Sequence, residues 1–139
     1  MTALVDTNIL VYSVDPRFPP KRQRAVEILR NGIDEGSLHV PYQALVEFVA
    51  AVTRQLQGGG SILTLSEARE HAEGLLAVLP VLYPDETTLR NSLRIYEAYQ
   101  LLGCAEANGL DEILSEDFQH QRTYGTVWTV NPFIDIDSA

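Results

Sequence analysis

The residues best suited to chemistry open the chain. In Leu4-Val5-Asp6-Thr7-Asn8-Ile9-Leu10-Val11 an apolar lead-in meets three polar residues before the apolar run resumes. A carboxylate inside such a run is costly to bury without a partner, and a divalent cation is a natural one, because hard cations take oxygen ligands. Asp6 also has a plainer role open to it, since Asp, Thr and Asn all cap helices well; chemistry alone leaves the two roles even. A second acidic stretch, Leu114-Ser115-Glu116-Asp117-Phe118, lies far along the chain. An acidic turn there is common in a chain of this composition. Together with Asp6 it suits phosphodiester hydrolysis, which needs an activated water, in-line geometry and a stabilised leaving oxygen. One or two divalent ions held by carboxylates supply all three. The histidines do not form a metal set: His39, His71 and His120 are scattered, without paired spacing. No Ser-His-Asp or Cys-His arrangement is visible.

These carboxylates need elements to place them. The lead-in to Asp6 is too short and too β-branched for a helix, which predicts a buried strand with Asp6 at its carboxyl end. In open α/β sheets that edge faces the ligand crevice. A loop over residues 12–20, with three prolines and an aspartate, follows. A helix is expected over residues 21–34, its buried stripe formed by Ala25, Val26, Ile28, Leu29 and Ile33. Lys21, Arg22 and Arg24 crowd its first turn, where cations are disfavoured; a solvated charged face is the simpler account, RNA contact the alternative. Leu38-His39-Val40 reads as a second strand, and Pro41 suits the first turn of a helix over residues 42–57. Glu47 lies off that helix's apolar stripe of Leu45, Phe48, Val49, Val52 and Leu56, so that taken alone it is an exposed glutamate.

Gly58, Gly59 and Gly60 form a loop, with no lysine-bearing helix start to make it a phosphate cradle. Thr64-Leu65-Ser66-Glu67 has the form of a capping box for a helix to residue 77. A third strand over residues 78–83 is interrupted by Pro80, which suits a sheet edge or a strand start. Asp85 can cap a further helix, and Asn108-Gly109 is a helix stop. Residues 111–115 and 127–130 read as the fourth and fifth strands. Strands alternating with helices predict an α/β domain spanning residues 1–139: a mostly parallel central sheet of about five strands with helices on both faces.

Composition agrees with one globular domain. The chain has 139 residues, 45% of them hydrophobic. No apolar run approaches a membrane span, and no basic leader or cleavable hydrophobic region suggests export. The single cysteine, Cys104, allows no internal disulfide and fits a reducing, cytoplasmic setting as a small core residue. The net charge of −9 cuts against simple nucleic-acid binding through a basic footprint. Bound cations invert local charge, so a metal-using enzyme can still meet phosphate; the acidic balance also suits a basic protein partner.

Leu-Val-Asp-Thr-Asn-Ile-Leu-Val resembles the opening motif of PIN-domain ribonucleases. Most of the remaining chain resembles their VapC-like branch, the toxin subunits of toxin–antitoxin pairs. Ser-Glu-Asp-Phe-Gln-His from Ser115 and Val130-Asn131-Pro132-Phe133 carry that likeness best. The resemblance implies a PIN-like fold and a metal-dependent endoribonuclease leaving a 5′-phosphate. It implies that Asp6, Glu47 and Asp117 hold Mg²⁺ or Mn²⁺ and position the attacking water, with Thr7, Asn8 and Ser115 as supports. It also implies a homodimer and a small antitoxin that blocks the site.

The chain departs from that pattern at one place. VapC-like toxins usually carry another aspartate, opening a helix with an aromatic-Asp-Ala pattern. Here Tyr96-Glu97-Ala98-Tyr99-Gln100-Leu101 matches the end of one family helix and Leu102 to Gly109 the later part of the next, with the piece between absent. No aspartate lies between Asp85 and Asp111. The favoured expectation is that the natural chain carries a few more residues between Gln100 and Gly103, including an aspartate, with a break near Leu101. Intact mass is the check. Otherwise a continuous helix over residues 86–108 is expected, either in a weakened enzyme or with Glu97 standing in. Two rival functions stand beside the nuclease. A weakened or inactive PIN module would bind RNA or a protein partner without cutting. An aspartyl-phosphate enzyme with Asp6 as nucleophile is disfavoured, because haloacid-dehalogenase-like phosphatases place a second aspartate where this chain has Asn8.

Overall fold

The computed structural model describes residues 2–94, 100–118 and 120–136. Its sheet contains β1 (Ala3–Val5), β2 (Leu38–Pro41), β3 (Val81–Leu82), β4 (Glu112–Leu114), β5 (Arg122–Tyr124) and β6 (Val127–Val130). Their spatial order is β3-β2-β1-β4-β6-β5. Every neighbouring pair is parallel except β5–β6. The sheet thus has six strands rather than five. The extra one, β5, is the short antiparallel arm of a hairpin turned at Gly125, whose φ is 62°. β3 is a two-residue strand at the sheet edge, as Pro80 predicts.

The helices are α1 (Thr7–Tyr12), α2 (Pro19–Glu35), α3 (Tyr42–Thr53), α4 (Leu65–Val78), α5 (Glu86–Arg94) and α6 (Gln100–Ala107). α1 fills the stretch between the opening strand and the proline loop, for which sequence reading had only a cap. α2 starts two residues before Lys21 because both its first positions are prolines, which suit a helix start. α3 stops at Thr53, four residues early. There the loop folds back on the helix end: Leu63 N–H donates to Val52 O at 2.9 Å and Leu56 N–H to Gly60 O at 2.7 Å. The capping box on α4 is present in both directions, and Val78 ends that helix rather than opening β3.

Side chains alternate across the sheet. Ala3 and Val5 pack with Leu10, Ala25, Leu29, Phe48 and Val52 on one face. Leu4 and Ile113 pack with Leu102, Cys104 and Ala105 on the other. Helices therefore cover both faces. Each such leucine, isoleucine or valine contributes roughly 1.5–3 kcal/mol when fully buried.

The long helix foreseen over residues 86–108 is instead two helices, α5 and α6, packed on each other. The Cys104 thiol is pushed up first by burial and then by the charge of Asp85, which a single straight helix would carry far from it. The connection, with Tyr96 and Glu97, lies outside the described residues. The backbone of α6 runs unbroken from Gln100 through Gly103.

Candidate metal and nucleic-acid site

β2 and β3 lie on one side of β1, while β4 and β6 lie on the other. The order of strands therefore reverses between β1 and β4, the place where open α/β sheets open a crevice beyond their carboxyl ends. Val5 and Leu114 end these strands and sit in register. The next residues are Asp6 and Ser115. Glu47 arrives from α3, which follows β2. Asp6, Thr7, Glu47 and Asp117 line one cavity of 500 Å³.

Hydrogen bonds tie these groups together. Asp6 accepts from the Thr7 backbone N–H at 2.7 Å through Oδ1 and from Ser115 Oγ at 2.5 Å through Oδ2. Ser115 Oγ in turn accepts from Asn8 Nδ2 at 3.2 Å and from the Asp117 N–H at 3.0 Å. Asn8 Nδ2 also donates to Asp117 Oδ2 at 3.2 Å. Thr7 Oγ1 donates to Glu47 Oε2 at 2.9 Å, and Gln43 Nε2 donates to Glu47 Oε1 at 3.2 Å. Asp6 takes the plainer of its two roles, capping α1, and it also faces the cleft. Burial pushes its carboxyl above the usual range. The bonds from Ser115 and Thr7 oppose that shift, and the charges of Asp117 and Glu47 add to it.

The donor set suits a hard divalent cation: three carboxylates on one cleft, with no lysine or arginine among the described lining residues. Beside them, buried Asn8 Oδ1 has no hydrogen-bond partner among the described residues; it is a carbonyl oxygen of the kind such ions and their waters take. As placed, no three His, Cys, Asp or Glu side chains among the described residues converge as an ion cage, so a cation held by all three carboxylates would need at least one of them to reorient. On the wall where the resemblance implied a further carboxylate, α6 contributes Leu101 and Cys104.

Sequence reading missed three groups that brace the acidic turn. Tyr12 OH donates to Glu116 Oε1 at 2.7 Å, and Lys21 Nζ donates to Tyr12 OH and to Glu116 Oε2, both at 3.2 Å. Lys21 also lies 4.8 Å above the Tyr12 ring. The signal was the crowd of cations at the start of α2: Lys21 serves this brace, and Arg24 Nη1 donates to Pro132 O at 2.7 Å. Neither needs RNA to explain it. His120 Nδ1 accepts from the Asn131 N–H at 3.1 Å, which fixes the segment after β6.

The PIN domain family profile matches residues 3–125. Among solved structures, VapBC2 from Rickettsia felis bound to a DNA fragment from its promoter is similar at a TM-score of 0.65 and 10% identity, over 93% of this chain and 97% of that one. DNA-bound VapBC from Salmonella typhimurium gives 0.66 and 13%, over 93% and 96%. FitAB bound to the IR36 DNA fragment gives 0.66 and 16%, over 95% and 96%. At such identities the likeness is one of fold. No curated protein matches the sequence. The opening motif, the reversal of strand order that carries it and a profile spanning most of the length agree: the chain belongs to the PIN domain family.

Proposed function

We propose that this chain is a metal-dependent endoribonuclease, the toxin of a toxin–antitoxin pair. The observation that carries the proposal is the bonded acidic edge, where Thr7, Asn8 and Ser115 tie Asp6, Glu47 and Asp117 into one cleft. Asp6, Glu47 and Asp117 would hold Mg²⁺ or Mn²⁺. When bound, such an ion polarises the phosphate and makes a water a better nucleophile. The water oxygen bonds to phosphorus in line, the bond to the 3′ oxygen breaks, and the product carries a 5′-phosphate. Thr7, Asn8 and Ser115 hold the carboxylates, limiting the rearrangement needed at reaction. The toxin assignment draws on the VapC-like motifs and the likeness in fold to VapBC and FitAB assemblies. It brings a homodimer, a cytoplasmic setting and an antitoxin that lays basic residues into the acidic cleft.

The test is metal binding with cleavage. Mn²⁺ calorimetry and cleavage of RNA should both succeed with the native chain and fail with Asp6→Asn. Equal Mn²⁺ binding by both would remove Asp6 from the site. Failure to bind the protein encoded by the neighbouring reading frame, with no slowing of growth on overexpression, would defeat the toxin assignment.

The apolar wall of Leu101 and Cys104 favours one alternative, a PIN module that binds RNA or a protein without cutting. RNA cleavage lost on Asp6→Ala decides against it.

A further inference from the structure

The acidic cleft poses a problem of substrate retention. Its described lining includes Asp6, Glu47 and Asp117 and no basic residue, in a chain of net charge −9. Phosphates would find only the cations held there, so affinity for a nucleic acid must come largely from elsewhere. The same cleft has an aromatic flank. Tyr42, in the first turn of α3, lines it and is 45% exposed. The Tyr83 ring lies 5.5 Å from the Tyr42 ring, tilted by 31°, and is 62% exposed. Val46, one turn on from Tyr42, extends this surface and is also exposed. Gln43 and Glu47 lie beside them on α3, so the helix carries a polar pair next to an apolar one.

Resting on the nuclease reading, we infer that Tyr42 and Tyr83 form a stacking platform for an unpaired nucleobase next to the scissile phosphate. Two features favour a base over a protein segment. Tyr42 shares its cleft with the carboxylates, so a strand presented to them comes close to it. The two exposed rings offer flat faces of the size of a base. Stacking on such faces needs no charge and is worth roughly 1–3 kcal/mol per base. It also demands a base free of its duplex, which selects single-stranded segments.

The test is steady-state cleavage, with Mn²⁺, of a short single-stranded RNA and of a set carrying one abasic position each. Tyr42→Ala and Tyr83→Ala should raise KM by roughly 5- to 150-fold, with kcat little changed, while Tyr42→Phe and Tyr83→Phe stay near the native chain. One abasic position should cost the native chain the same factor, and on that substrate Tyr42→Ala should lose nothing more. Unchanged KM in the alanine variants, or an equal loss on every abasic substrate, overturns the platform. So does a Tyr42→Ala protein whose KM is native but whose sedimentation changes from dimer to monomer, the result expected of a face that binds a second copy. If the native chain cuts no RNA, the nuclease reading fails on its own. The platform is then judged by anisotropy of a fluorescein-labelled oligouridylate in Ca²⁺: weaker binding by Tyr42→Ala supports it and equal binding overturns it.

Discussion

Ser115→Ala removes one oxygen from the middle of the acidic edge. Ser115 is 1% exposed. Its Oγ gives its proton to Asp6 and accepts from Asn8 and from the Asp117 N–H, which fills the hydroxyl's one donor and two acceptor places. Alanine strands the Asp117 N–H, leaves Asn8 Nδ2 with its bond to Asp117 Oδ2, and leaves Asp6 with the Thr7 N–H. A bond to a charged group is worth roughly 1.5–3 kcal/mol and a neutral one roughly 0.5–1.5 kcal/mol. Water reaching this edge replaces part of that. The expected loss is about 2–3 kcal/mol, or roughly 5–15 °C in Tm for a chain of this size.

The loss should also depend on pH. The Asp6 carboxyl already stands above its usual range, and the Ser115 bond is the first of the effects opposing its burial. Without that bond it rises further. A group raised in the folded state contributes stability that is full below its ordinary value, near pH 3.9, and is lost as pH climbs through the folded value. The gap between native and Ser115→Ala should therefore widen as pH climbs through the raised native Asp6 value and level off above the still higher value of the variant. Protons compete with a cation for the carboxylate, so the pH midpoint for Mn²⁺ binding should move up in the variant. Thermal melts in EDTA from pH 4 to 8 and Mn²⁺ calorimetry measure the two effects. Thr64→Ala, which opens the capping box on α4, serves as control: it should cost about 1 kcal/mol and leave Mn²⁺ binding alone. A gap that does not grow with pH, together with an unchanged Mn²⁺ midpoint, would refute the claim that Ser115 tunes Asp6.

Lys21→Met keeps the apolar stem but removes the ammonium from Tyr12 and Glu116. It should cost about 1 kcal/mol and weaken Mn²⁺ binding by loosening the Asp117 turn. Burial lowers the Lys21 pKa, but its bonds to Tyr12 and Glu116 outweigh that and raise it. The stability gap should thus be full at neutral pH and close as pH rises past the ordinary lysine value, about 10.4; a gap constant to pH 11 would count against the brace. Arg17→Ala removes two side-chain donors, at 2.9 and 2.8 Å, from Asp15, which is 1% exposed. Burial raises the Asp15 carboxyl, but the Arg17 bonds outweigh it and hold it below its usual range. Urea unfolding should show a loss of about 1–3 kcal/mol at pH 7 that shrinks as pH falls through the depressed value; an equal loss at pH 3 would contradict this.

What was legible in the sequence followed from local rules. The capping box at Thr64, the short edge strand after Pro80 and the stop at Asn108-Gly109 each depend on a few neighbouring residues, and each is present. Asp6 at a strand end was legible from hydrophobic pattern alone. That Glu47 faces the same cleft was not, since on α3 it is simply an exposed glutamate; only the family motif pointed to it. The fold-back of α5 on α6 without any added residues was not foreseen, because the pattern there is helical throughout and the reversal shows only in the packing of the two helices on each other. The Tyr12–Lys21–Glu116 brace joins residues 95 and 104 positions apart, which no local rule finds. The aromatic flank was missed for the same reason, since Tyr42 meets Tyr83 only once β2 pairs with β3.

The bonding at the acidic edge is crossed. Thr7 and Asn8 follow Asp6 in sequence, yet their side chains serve Glu47 and Asp117. Ser115 precedes Asp117, yet its proton goes to Asp6. Each carboxylate is therefore held by a hydroxyl or amide from another element, and bringing three like charges together is offset only when all three elements have arrived. A shift of β4 against β1 would break the Ser115–Asp6 and Asn8–Asp117 bonds at once. Groups linked in one network do not lose energy additively. Asn8→Ala and Ser115→Ala should together cost less Mn²⁺ affinity than the sum of the two alone, because either change already removes the Asn8–Ser115 bond they share. Full additivity would mean that each donor serves its own carboxylate independently and that the crossing has no consequence for the site.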